Sequence, residues 1–151
     1  MLKGIDPLLS PELLKVLAEM GHGDEIVIAD ANFTATTLGR GKPVLHLPGA
    51  GVARVIEAVL SLLPLDAGVA QPVVYMQVCD RPDGWRSALQ RDVLERLRAR
   101  GWAAAAQCQG CERFAFYDRV RSAYAIVQTG ELQPYANFIF KKGVIADALA
   151  E

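Results

Sequence analysis

Histidine and cysteine are scarce in this sequence, and several features that would direct a chain to a particular partner are missing. No apolar run reaches the roughly 18 residues of a membrane-spanning helix. The formal net charge is only −1, which gives no electrostatic reason to expect binding to nucleic acid or to an anionic membrane. The first residues, Met-Leu-Lys-Gly-Ile-Asp-Pro, contain no apolar signal-peptide stretch. These absences predict a cytoplasmic protein that binds neither nucleic acid nor membrane.

The three cysteines, an odd number, are typical of a reducing compartment. Cys108 and Cys111 form a CxxC pair, the spacing found in many zinc and redox sites. A zinc site needs further ligands, and the sequence has no second CxxC or histidine pair, while Cys79 is far away along the chain. We therefore interpret Cys108 and Cys111 as ordinary thiols near the end of a strand.

Two kinds of apolar segment alternate along the chain. Short, almost uniformly apolar runs are typical of strands buried on both faces, and they predict strands at 25–29, 73–78, 102–107, 124–128 and 138–140. Apolar residues spaced three and four apart, with Ser10 as an N-cap and Pro64 as a stop, predict helices at 11–20, 52–63, 85–100 and 112–123. The stretch 31–51 is predicted to be irregular. The alternation predicts one α/β domain over residues 1–151, with a mainly parallel sheet between two layers of helices.

His22 is the first residue with chemical potential. It lies between two glycines, on flexible backbone, and no apolar residues at helical or strand spacing surround it. A histidine pKa near ~6.5 suits proton transfer in both directions at neutral pH. The residues alone leave two interpretations open, a catalytic acid/base and a capping or surface histidine. His46, between two leucines, is interpreted as structural.

Three further segments supply polar groups. Asp30 follows the first predicted strand, where ligands of doubly wound sheets bind, although it could instead cap a loop. The segment 113–117, Arg-Phe-Ala-Phe-Tyr, combines a guanidinium with aromatic surface, the mixture that sugars need. Helical periodicity nevertheless favours the core for the aromatic residues at 114 and 117. Tyr135 and Asn137, in the loop before the last strand, either bind hydroxyl groups or form a turn.

Several stretches, in order along nearly the whole chain, carry a resemblance. They are Leu8–Ile26, Ala29–Phe33, Glu112–Tyr117, Thr129–Glu131, Tyr135-x-Asn137 and Lys141–Val144. Together they resemble the fucose mutarotase and ribose pyranase family, and the Arg-Phe-x-Phe-Tyr segment is closer to the fucose branch. The resemblance implies an isomerase that interconverts the α and β anomers of a reducing monosaccharide, L-fucose, by acid/base opening and closure of the sugar ring.

The resemblance also implies roles for particular residues. His22 is expected to be the catalytic acid/base, and Asp30, Arg113 and the loop Tyr135-Ala136-Asn137 are expected to bind the sugar. No cofactor and no metal are expected. Two positions depart from the family: Thr34 stands where proline is usual, and Ala136 stands where glycine is usual. If position 136 requires a positive φ, alanine is strained there.

A further implication concerns assembly. His22 precedes the first predicted strand and Asp30 follows it, so five extended residues separate them by roughly 16 Å. Either the flanking loops fold back over the sheet, or a neighbouring chain completes the site. The resemblance, to proteins that form closed rings, favours a homo-oligomeric ring with shared sites, and a decamer is one such ring.

Other functions stay open at the level of the sequence. One is a D-ribose pyranase, the same chemistry on another sugar. A second is a non-catalytic sugar-binding accessory protein of sugar uptake, for which Asp30, Arg113 and Asn137 would matter and His22 would be dispensable. A third is a structural ring-forming protein.

Overall fold

A mixed β-sheet runs through the part of the chain that the computed structural model describes, residues 1–150. Its strands are β1 (Glu25–Ala29), β2 (Val44–Leu47), β3 (Val73–Met76), β4 (Cys108–Cys111), β5 (Ala125–Thr129) and β6 (Phe138–Lys141). Their spatial order is β2-β5-β1-β6-β3-β4. The pairs β1–β5, β2–β5 and β3–β4 are parallel, and only β6 runs antiparallel to its neighbours β1 and β3. The predicted α/β class with a mainly parallel sheet is confirmed.

Helices cover both faces of this sheet. They are α1 (Pro11–Glu19), α2 (Ala35–Leu38), α3 (Val52–Leu60), α4 (Ala88–Ala99) and α5 (Arg113–Ser122). In β1, Ile26 and Ile28 point into one apolar cluster, which they share with α1, α3 and α4. Val27 and Ala29 point into a second cluster, with α2 and α5. Because strand side chains alternate between faces, a strand that is apolar throughout fits only such a three-layer arrangement.

Side-chain caps fix the starts of three helices. The Ser10 hydroxyl accepts a hydrogen bond from the Leu13 amide at 3.2 Å, as the sequence predicts. Glu112 accepts from the amides of the first turn of α5, at 2.9 and 3.0 Å. Ser87 is the N-cap of α4, which begins at Ala88, three residues later than the predicted start at 85. No helix within residues 1–150 is both long and apolar enough to cross a membrane.

Two predictions of local structure are wrong. The stretch 31–51 is not irregular, because it contains α2 and the edge strand β2. No residue of β2 is fully buried, so it lacks the uniformly apolar run of an interior strand. The strand predicted at 102–107 is replaced by a turn of 3-10 helix at Ala105–Gln107, and the strand itself is β4, at Cys108–Cys111. A run of alanines stands where the strand was predicted, and Gly110 stands inside the real one.

Candidate active site

A pocket of about 240 Å³ lies where β1 and β3 end and β6 begins, beside the start of α5. Four of the five predicted sugar-binding residues line it, namely Asp30, Arg113, Tyr135 and Asn137. The rest of the wall is formed by Asn32, Phe33, Met76, Tyr117 and Pro134. Pockets for drug-sized ligands measure about 300–1,000 Å³, so this smaller one suits a ligand of monosaccharide size.

Asp30 and Asn137 form a reciprocal pair at the base of the pocket, each only 3% exposed. The Asp30 amide donates to the Asn137 side-chain oxygen at 2.9 Å, and the Asn137 side-chain amide donates to Asp30 Oδ2 at 3.0 Å. Asp30 Oδ1 accepts from the Asn32 amide at 2.9 Å. Burial raises the pKa of Asp30, and the hydrogen bonds to its carboxylate oppose that rise. The carboxylate is therefore held rigidly, in a place where water solvates it poorly.

Arg113 is the first residue of α5, and its guanidinium lies across two aromatic rings. Its Nε donates to the Tyr117 hydroxyl at 2.9 Å, one helical turn on, and its centre lies 5.4 Å from the Tyr117 ring and 5.5 Å from the Phe114 ring. The expectation that the aromatic residues 114 and 117 belong to the core is wrong for Phe114, which is 65% exposed. Tyr117 is partly buried: it packs against the second apolar cluster and also lines the pocket. Phe116 and Val120 are the buried residues of this helix.

Tyr135 has the left-handed backbone conformation, with φ of 61°. For a residue with a side chain, this conformation costs roughly 1–2 kcal/mol, and such strain is concentrated at functional sites. Proximity to the Cys79 side chain, together with burial, raises the pKa of Tyr135, while the charge of Arg113 opposes the rise. Tyr135 is thus a strained residue at the pocket wall.

The two departures from the family pattern have simple structural outcomes. Ala136 is fully buried and its φ is not positive, so the strain considered for that position falls on the preceding residue instead. Ala136 belongs to the first apolar cluster and does not line the pocket. Thr34 has φ of −77°, a value that proline also adopts, so threonine leaves the backbone of this loop in a proline-like conformation.

His22 lies outside this pocket. Its side chain is 58% exposed, and its Nε2 lies 3.2 Å from Oδ1 of Asp66. The same carboxylate accepts a hydrogen bond from the Gly68 amide at 2.9 Å. This hydrogen bond lowers the pKa of Asp66, and the contact with His22 has a smaller effect in the same direction. The His22 loop is tied to the end of β6, because the Gly23 amide donates to the Lys142 carbonyl at 2.8 Å.

Asp66 is a candidate functional residue that the sequence analysis missed. It is 6% exposed, and it reaches His22 from a loop that is distant in sequence. The only local signal is its turn with Gly68, which resembles many ordinary turns in which aspartate accepts from the amide two residues on. Nothing in the sequence connects residue 66 with residue 22.

The structure does not bring His22 and Asp30 together within one chain. They flank opposite ends of β1, whose five extended residues span roughly 16 Å. The first of the two predicted arrangements, in which the loops fold back over the sheet, is not observed, because the His22 side chain contacts Asp66 and does not line the pocket.

The CxxC pair lies at the two ends of β4. Cys108 and Cys111 are both free thiols, and burial raises the pKa of Cys108 to about 11. Within the described part of the chain, no three His, Cys, Asp or Glu side chains are grouped so that they could hold a metal ion.

This chain is similar to a known family, to known sequences and to solved structures over nearly its whole length. The model of the RbsD / FucU transport protein family matches residues 3–145. The fucose mutarotase of Bos taurus is 45% identical over 148 residues, which cover 96% of this chain and 95% of the relative. The L-fucose mutarotase of Actinobacillus pleuropneumoniae serotype 5b is 45% identical over 144 residues, which cover 95% of this chain and 97% of the relative.

Solved structures with a similar fold include two that hold a bound sugar. The fucose mutarotase from Streptococcus pneumoniae in complex with L-fucose superposes with a TM-score of 0.85 at 36% identity, covering 96% of this chain and 100% of that one. Bacillus subtilis RbsD complexed with D-ribose has a TM-score of 0.73 at 24% identity, covering 97% and 100%, and it shares the fold alone. With a family model that matches residues 3–145 and relatives that align over nearly their whole length, this chain belongs to the RbsD / FucU transport protein family.

Proposed function

We propose that the chain is an L-fucose mutarotase, which interconverts the α and β anomers of the free sugar. The observation that carries this proposal is the pocket in which a buried carboxylate, a guanidinium and a tyrosine hydroxyl converge within about 240 Å³. Relatives with the name fucose mutarotase are 45% identical over nearly the whole chain, and this identity favours L-fucose as the sugar.

The protein needs to supply only an acid and a base for this reaction. A base removes the proton of the anomeric hydroxyl while an acid protonates the ring oxygen, so that the bond between the anomeric carbon and the ring oxygen breaks and the aldehyde forms. Reclosure on the other face of the carbonyl reverses both transfers. Each positioned acid or base accelerates such a step by roughly 10²–10⁴-fold. The overall reaction consumes no co-substrate.

In this proposal His22 performs one of the two proton transfers. The contact with Asp66 occupies Nε2 and leaves Nδ1 as the nitrogen that would exchange a proton with the sugar. Asp30 and Arg113 bind sugar hydroxyls, as acceptor and donor respectively. Asn137 acts chiefly by fixing Asp30, since both ends of its amide are bonded to that residue. The Tyr135 hydroxyl is either a further ligand or the second proton carrier.

We also propose that two chains share each site in a closed homo-oligomeric ring, for which a decamer is the size to test. One chain supplies His22, and its neighbour supplies the pocket at Asp30. An apolar groove of about 550 Å³ supports this arrangement, because it includes Lys142 and Gly143, whose segment is bonded to the His22 loop. The groove is lined otherwise by Leu2, Leu14, Leu17, Ala18, Leu62, Leu63, Pro64 and Ile145. A head-to-tail interface that covered it would bury apolar surface beside the histidine.

Mixing two inactive variants tests the shared site. Chains with His22→Ala and chains with Asp30→Ala are dissociated together and allowed to reassemble. If each site combines His22 of one chain with Asp30 of the next, about one quarter of the sites regain both residues after random mixing. Each variant taken alone through the same procedure is the control. Mixed oligomers without activity, or an active monomer, would contradict the shared site.

Anomer exchange measured by saturation-difference NMR tests the activity itself. At equal concentrations of sugar, the protein should accelerate the exchange of L-fucose more than that of D-ribose. A ribose preference would make the chain a pyranase, and no acceleration of either sugar would refute the enzymatic proposal.

As part of the same proposal we place the protein in the cytoplasm, which the three free thiols support.

A further inference from the structure

Gln90 is a fully buried polar side chain whose hydrogen bonds reach from α4 to the pocket. At the start of α4 it completes a capping box: the Ser87 hydroxyl accepts from the Gln90 amide at 3.1 Å, and Gln90 Oε1 accepts from the Ser87 amide at 3.0 Å. A capping box uses only the side-chain oxygen of its third helical residue, so the two Nε2 hydrogens are not needed for it.

Both remaining hydrogens are directed at residues that line the pocket. Gln90 Nε2 donates to the main-chain carbonyl of Met76 at 2.8 Å and to that of Tyr135 at 3.1 Å. Met76 is the last residue of β3, and Tyr135 precedes β6 in the left-handed conformation. One amide group therefore joins the end of a strand, a strained loop residue and the start of a helix.

The choice of glutamine at this position follows from these contacts. Glutamate would complete the capping box equally well, since the box accepts either residue. A carboxylate at position 90 would instead direct an oxygen at two carbonyl oxygens with no hydrogen to donate, at a position that is fully buried from solvent. The two carbonyl acceptors therefore explain why position 90 carries an amide. The capping box alone would not distinguish glutamine from glutamate.

We propose that Gln90 is a positioning residue, which holds the backbone of Tyr135 so that its side chain stays at the pocket wall for the sugar. This inference rests on the proposed mutarotase function. The Tyr135 conformation is unfavourable for a residue with a side chain, so contacts from its surroundings must maintain it. The bond from Gln90 acts on the carbonyl of that same residue.

The test is a double-mutant cycle on L-fucose anomer exchange, with kcat and KM measured separately. Gln90→Glu keeps the capping oxygen and removes the donors. We expect it to lower kcat/KM by about tenfold or more in the wild-type background and by less than about twofold in a Tyr135→Phe background, because coupled residues do not act additively. Ser87→Ala is the matched control, because it breaks one cap bond, keeps both donors, and should lower the Tm without changing kcat/KM.

The outcomes separate this inference from the function on which it rests. Equal losses in both backgrounds, or no loss in either, would overturn the role of Gln90 while the active wild type retained the proposed function. An inactive wild type would refute both. Gln90→Met, which introduces no charge, replaces Gln90→Glu if the latter does not fold. If neither variant folds, Gln90 determines the fold and the proposal is wrong.

Discussion

The buried pair of Asp30 and Asn137 allows a prediction whose size follows from one distance. Asn137→Asp places a second carboxylate where the present contact is 3.0 Å long. Two unit charges at that separation repel by about 5.5 kcal/mol at an effective dielectric constant of 20. The pair can avoid this repulsion by keeping one proton. At pH 7 that costs about 4 kcal/mol, since an ordinary carboxyl pKa lies about three units lower and each unit is about 1.4 kcal/mol.

The pH dependence has a definite sign. The folded variant holds a proton that the unfolded chain releases above its ordinary carboxyl pKa, so its stability falls as the pH rises. Relative to wild type, we expect a loss in the free energy of unfolding of about 1.5 kcal/mol at pH 5 and about 4 kcal/mol at pH 7. Unfolding in urea at the two pH values, with both proteins in the same buffers, measures this difference.

The exchanged pair is the decisive control. In Asp30→Asn combined with Asn137→Asp, the new amide at position 30 donates to the new carboxylate at position 137. That carboxylate also accepts from the main-chain amide of residue 30, and the new amide oxygen accepts from Asn32. All three hydrogen bonds return with the charge moved across the pair, so most of the lost stability should return. A double variant no more stable than Asn137→Asp, or a loss that does not change with pH, would refute the reasoning.

Two further predictions concern other parts of the fold. Gly130→Ala should lower the free energy of unfolding by about 1–3 kcal/mol or more, because its Cβ would lie 2.1 Å from the Pro48 carbonyl oxygen. Gly49→Ala is the control, because a Cβ at position 49 would have no atom within 4 Å. Equal stability of the two variants in thermal unfolding would contradict the close contact between Gly130 and Pro48. In the native protein the exposed Cys79 should react with a thiol reagent long before the buried Cys108, because the pKa of about 11 keeps the Cys108 thiol protonated. Equal reaction rates of the two thiols would contradict the burial of Cys108.

Much of the fold was predictable because its interior strands are buried on both faces. The runs at β1, β3 and β5 are nearly uniform in apolar residues, and helical spacing identified α1 and α3. The edge strand β2 escaped prediction because only its pairing with β5 and its parallel register define it, and its half-exposed residues show no apolar run. Similarly, β4 contains a glycine and a glutamine, and it is a strand because it pairs with β3.

The candidate site was predictable only in part, for a different reason. Asp30, Arg113 and Asn137 each follow or precede a recognisable element, and the topology places those ends at one edge of the sheet. The contacts of Asp66 with His22 and of Gln90 with Tyr135 join positions that are 44 and 45 residues apart. Such pairs depend on tertiary packing and leave no local pattern in one sequence. Tertiary contacts also set the backbone conformation of the Tyr135 loop. The positive φ considered for Ala136 therefore occurs at the preceding residue, Tyr135.

The central claim, that His22 transfers a proton during anomer exchange, is tested most directly by His22→Asn. Its side chain is 58% exposed, so the substitution should change stability by no more than about 0.5 kcal/mol. Saturation-difference NMR of L-fucose should show that the accelerated exchange falls by about 10²-fold or more while the Tm stays the same. His46→Asn, at the exposed histidine of β2, is the matched control and should retain full exchange. Exchange at the wild-type rate in His22→Asn would contradict the account.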